Sequence, residues 1–107
     1  MKLLTKEILK KLPPIYANEF KDPKDVKVIA KFFNTGSAQI WYATEFDPKE
    51  KMFFGFVNLG WDDTAELGYF SLAELEEIRG CWGLGVERDL YWNPETSLAD
   101  VINFKVR

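Results

Sequence analysis

Between Gln39 and Val57 the chain reads QIWYATEFDPKEKMFFGFV, two apolar-rich runs on either side of Asp47-Pro48-Lys49-Glu50. Proline at the second position of a tight turn has its φ already set and needs no N–H there. The stretch therefore predicts two antiparallel strands joined by a short turn. In the first run, alternation places Ile40, Tyr42 and Phe46 on one face and Gln39, Trp41, Glu45 and Asp47 on the other, so one face should be core. The returning run, Lys51 to Leu59, is apolar on both faces, with Met52, Phe54 and Phe56 alternating against Phe53, Val57 and Leu59. A strand of that kind is covered on both sides, and it is expected at the centre of a sheet. Gly55, inside the aromatic run, marks a close approach by a bulky neighbour or a second backbone.

The flanking segments extend this hairpin. Val26 to Asn34 predicts a first strand with Val28, Ala30 and Phe32 on its apolar face and Lys27 and Lys31 opposite. Thr35-Gly36-Ser37 turns it into the hairpin, and Glu66 to Phe70 supplies a short fourth strand. Val86 to Trp92 is strand-like by its aromatics and alternation. Thr5 can cap a helix that carries Ile8 and Leu12 on one side and ends at Pro13-Pro14. Ser71-Leu72-Ala73-Glu74 is a capping box for a second helix, with Leu72, Leu75 and Ile78 on one side and Gly80 placed to end it. Ser97 to Asp100 offers another, for a closing helix through Ile102. Ile15 to Asp25 reads as a loop anchored by Tyr16 and Phe20. The expected fold is α+β: an antiparallel sheet of about four to five strands, built on a meander, with two to three short helices packed on it. At 107 residues the chain, 1–107, fits a single domain.

Charge and composition narrow the function. Residues 1–53 carry ten Lys against seven acids (+3), and residues 54–107 carry four bases against ten acids (−6), which sum to the net −3. Asp62, Asp63, Glu66, Glu74, Glu76 and Glu77 form a block without a base, which disfavours direct nucleic-acid binding and suits a basic partner. One Cys excludes an intramolecular disulfide, and a start of MKLLTKEILKK lacks the apolar core of a signal peptide. A cytoplasmic location is expected. No run approaches the roughly 18 apolar residues of a membrane span.

The blocks WYATEFD (Trp41 to Asp47), ELGYFSLAELEEIRG (Glu66 to Gly80) and ERDLYW (Glu87 to Trp92), preceded by LLTKEILKKLPPIYANE, resemble an uncharacterised bacterial domain-of-unknown-function family. Its members are small proteins found on plasmids, phages and other mobile elements. The resemblance implies a single α+β domain and an accessory role in mobile-element biology, and it carries no catalytic residue or cofactor.

The candidate sites follow from residue chemistry. The chain has no histidine, so it lacks the usual general base near neutral pH and the commonest zinc ligand; no metal or cofactor is expected. Cys81 without a histidine cannot form a Cys–His pair and reads as a small packed residue. One reading is an interaction surface made of Trp61, Asp62, Asp63, Glu66, Glu74, Glu76, Glu77 and Trp82, an acidic and aromatic face for a basic, nucleic-acid-binding protein. A solvated helix side accounts for the three glutamates of the helix with no special cause. The other reading is a small enzyme or ligand-binding domain that uses Glu45, Asp47, Glu66, Arg88 and Tyr91. There Arg88 would grip an anion, unless it ties its strand to its neighbours. The sequence points to a non-catalytic interaction protein, an inhibitor or modulator of that partner, working as a monomer or as a homodimer through a strand edge.

Overall fold

The computed structural model describes residues 2–60, 65–78 and 84–106, residues 103–106 by their backbone alone. The described residues form a five-stranded antiparallel sheet with three short α-helices, an α+β fold. The strands are β1 (Ala30–Asn34), β2 (Ile40–Asp47), β3 (Met52–Asn58), β4 (Glu66–Ser71) and β5 (Val86–Arg88); the helices are α1 (Lys6–Lys11), α2 (Leu72–Glu77) and α3 (Leu98–Val106). The sheet order is β4-β3-β2-β1-β5. The first four strands make the expected meander, and β5 adds outside β1.

Local signals set the element ends. The Thr5 hydroxyl accepts from the Ile8 N–H at 3.2 Å, Ser71 from Glu74 at 3.2 Å and Ser97 from Asp100 at 3.1 Å, each satisfying a donor that the first helical turn would leave orphaned. The β2–β3 turn is held by the Asp47 carboxylate, which accepts from the Lys49 N–H at 2.9 Å. α2 ends at Ile78, whose backbone is already extended; Gly80, expected to end it, lies outside the described residues. α3 runs past Ile102 to Val106.

The sheet is covered on both faces. On the first, Phe32, Trp41, Phe46, Phe53 and Phe70 pack with Leu75 of α2 and Ile8 of α1. On the second, Phe56 packs with Val26, Val28 and, from α3, Leu98 and Val101, with Tyr42 and Trp92 alongside. β3 is thus interior and apolar on both sides as read, although the middle strand is β2.

Three expectations about faces and lengths are corrected. Tyr42 and Phe46 do not share a face, because Ala43 pairs with Gly55 and Glu45 with Phe54, leaving Thr44 as an extra residue. That bulge reverses the alternation, so Trp41 and Phe46 share one face while Tyr42 and Glu45 share the other. Val28 likewise parts from Ala30 and Phe32. Residues 26–28 leave β2 and pair with the segment before α3, where Val28 N–H donates to the Thr96 carbonyl and Leu98 N–H to that of Val26, both at 2.8 Å. The strand predicted from Val86 to Trp92 stops at Arg88, since Asp89 turns the chain by accepting from the Tyr91 N–H at 2.9 Å. Phe20 is no anchor: it is 94% exposed, and Tyr16 is 67% exposed. Among the described residues no helix is long and apolar enough to cross a membrane.

Tyr42, whose ring centroid lies 5.7 Å from that of Trp92, gives the fold an alkaline limit. Burial, and then the negative charge of Asp89, raise its phenol above the usual value. The stability gained by keeping it neutral is complete below the unfolded value of about 10 and is lost as pH rises through the folded one. Urea midpoints measured from about pH 8 to about pH 11.5 should therefore fall at the alkaline end, and fall less in Tyr42→Phe.

Candidate functional site

Among the described residues Glu45 is the buried charged side chain, and it lies on the second face of the sheet. Glu45 follows the bulge, so its side chain lies beside Phe54 instead of among the charges of the turn. Its residue is 4% exposed, and a carboxylate buried to that degree needs donors. One comes from the segment after α1. There Tyr16 adopts φ +74°, a left-handed conformation that costs a side-chain-bearing residue about 1–2 kcal/mol, and donates its N–H to Glu45 Oε1 at 2.7 Å. Phe46 N–H, donating to the Pro13 carbonyl at 3.0 Å, fixes the same segment to β2.

The second donor is shared. The Thr44 hydroxyl lies 3.1 Å from Glu45 Oε2 and 3.0 Å from the Phe54 carbonyl oxygen, and its single proton serves one acceptor at a time. Among the described residues no Lys or Arg nitrogen comes within 4.0 Å of Glu45. Glu45 therefore keeps unused acceptor capacity, and it lines an open cavity of about 320 Å³ whose walls include Tyr16, Phe54, Leu67, Tyr69 and Leu98. Lys21 and Glu19 also line it. Tyr69 stands edge-on to Phe54 with ring centroids 5.0 Å apart. Its hydrogen bond with Tyr16 first, then desolvation, and only after these the nearby Tyr16 and Glu45 charges, hold its phenol above the usual value. Among the described residues no group of three His, Cys, Asp or Glu could hold a metal ion.

The chain matches, over residues 3–105, the family model described as "Protein of unknown function (DUF2958)". It belongs to that family. Neither the curated proteins nor the solved structures gave a match.

In this DUF2958 chain the five residues of the enzyme reading do not converge. Glu45 and Asp47 lie on the second face, as pairing with Phe54 and Met52 requires. Glu66, opposite Val57, lies on the first face at the β4 edge. Arg88, opposite Phe32, is on the first face at the other side of the sheet. Its Nη1 donates to the carbonyl oxygens of Lys2 and, at 3.2 Å, Leu3, so it ties the residues before α1 to the sheet. Tyr91 is 96% exposed. Of the expected interaction surface, Glu66, Glu74, Glu76 and Glu77 are exposed, on β4 and on α2; Trp61, Asp62, Asp63 and Trp82 lie outside the described residues. Sequence reasoning passed over Thr44 and Leu67, read Tyr16 only as a loop anchor and did not connect Tyr69 with Glu45. Their signal was an acid on a strand whose cross-strand neighbours on that face, Phe54 and Phe56, are aromatic.

Proposed function

We propose that this chain is a non-catalytic interaction protein of mobile-element origin that binds a basic, nucleic-acid-binding protein and inhibits or modulates it. The observation that carries this reading is the open cavity beside β4, where half-exposed Leu67 and Tyr69 and exposed Tyr16 surround buried Glu45. Contiguous exposed apolar side chains around a concave site mark a binding surface, whereas scattered ones do not. Aromatics at such a centre supply most of the affinity. Glu66, Glu74, Glu76 and Glu77, exposed on β4 and α2, would speed encounter with a basic partner and select it. The mobile-element origin is supported by the resemblance of the WYATEFD, ELGYFSLAELEEIRG and ERDLYW blocks.

An array of basic, neutral and acidic peptides, probed with the intact protein at low and high salt, tests the reading. Basic peptides should bind preferentially and less tightly at high salt. Tyr69→Ala should cost about 2 kcal/mol, roughly thirtyfold in affinity. Changing Glu74, Glu76 and Glu77 to Lys should slow association more than it speeds dissociation. Equal binding of acidic and basic peptides would end the proposal.

A further inference from the structure

We infer that the Glu45 cavity receives an arginine side chain of the protein partner, the guanidinium resting on the carboxylate and the alkyl stem on the Leu67 and Tyr69 walls. This rests on the partner-binding reading above and names the group that the partner contributes.

The donor arithmetic leads to the ligand. Glu45 Oε1 has one donor, the Tyr16 N–H, and Oε2 shares the Thr44 hydroxyl with the Phe54 carbonyl. A carboxylate oxygen can accept about two hydrogen bonds, so these donors saturate neither oxygen of a residue that lines the cavity. Two acceptors on one carboxylate, each with capacity left, match the two parallel N–H bonds of a guanidinium. An ammonium group is a compact, strongly hydrated point charge and would lose more hydration for fewer bonds. Aromatic walls add to the match, since a planar, weakly hydrated cation stacks on ring faces and Phe54 and Tyr69 bound the space. A cavity of about 320 Å³ is at the lower end of the roughly 300–1,000 Å³ found for ligand sites and has room for one long side chain. Tyr16 gives the site its rigidity: its left-handed backbone aims the amide at Glu45 and leaves the carboxylate already oriented.

The test uses the full chain, isotopically labelled, and the peptides Ac-Gly-Arg-Gly-NH2, its lysine and citrulline counterparts, and free guanidinium chloride. The reporter is the Tyr16 amide, bonded directly to Glu45. The arginine peptide should shift that amide saturably, with affinity about tenfold or more above the citrulline peptide, which keeps the shape and lacks the charge. Glu45→Gln should abolish the difference. Should that variant fail to fold, Leu67→Lys and Tyr69→Ala at the rim replace it, and each should weaken the arginine response severalfold while leaving the other amides in place. Citrulline or lysine matching arginine would overturn the inference. So would free guanidinium binding as tightly as the peptide, which would make the site one for a small cation. Basic peptides that shift only amides of residues 74–77 would remove the arginine pocket and leave the partner-binding reading intact. Their failure to bind anywhere would remove both.

Discussion

Replacing Gly55 by alanine will destabilise the protein by about 3 kcal/mol or more, which for a chain of this size lowers the melting temperature by roughly 12 °C or more. A β-carbon at residue 55 would stand 1.7 Å from the Tyr42 carbonyl oxygen and 2.8 Å from its carbon. Both atoms are backbone, so no rotamer change relieves the overlap; the β2–β3 ladder itself would have to move. Gly55 pairs with Ala43, the residue before the bulge, and displacing the ladder there would disturb the register that brings Glu45 to the second face. Gly68 provides the control. It lies directly opposite Gly55 on β4, and nothing stands within 4 Å of a β-carbon built on it. Gly68→Ala should be neutral or stabilise by up to about 1 kcal/mol through the lost freedom of the unfolded chain. Urea unfolding of both variants decides the matter. Gly55→Ala within about 1 kcal/mol of the parent would mean that the close approach is relieved at little cost.

The role of Gly55 was legible in the sequence because a residue without a side chain, set within an aromatic strand, marks where another backbone comes close. The helix caps were legible for a related reason: Thr5, Ser71 and Ser97 each act on a backbone amide three residues away, within the window that a local pattern covers. What local patterns missed was anything joining distant segments. The Thr44 bulge adds one residue to β2 without a distinctive residue type, and from that point simple alternation assigns every side chain to the wrong face. Glu45 was therefore expected on the face opposite Tyr42. Its donor Tyr16 is 29 residues away in the chain, in a loop whose aromatics read as anchors, yet the connection there is a backbone amide and the rings stay exposed. Arg88 does tie its strand to a neighbouring segment, but it does so through carbonyls of Lys2 and Leu3, which no spacing within ERDLYW can reveal. The strand content and the α+β class survived these errors because they depend on where apolar runs occur and not on which face each residue takes.

Phe53→Ala will cost about 3–5 kcal/mol. Phe53 has no exposed surface, and its ring centroid lies 5.3 Å from Phe32, 4.7 Å from Phe46 and 5.1 Å from Phe70, the last nearly parallel at 18°. Truncation opens a void that residues on three other strands must fill, and each pair also loses its ring interaction. Phe20, with the same side chain at 94% exposure, should tolerate alanine within about 0.5 kcal/mol. The contrast also bears on function, because Phe53 points to the first face and Glu45 to the second. At temperatures where it remains folded, Phe53→Ala should still show the arginine-dependent shift of the Tyr16 amide. Glu45→Gln should lose that shift at temperatures where it, too, is folded. A loss of the shift in both, at matched folded fraction, would make the response a reporter of sheet stability and not of a binding site.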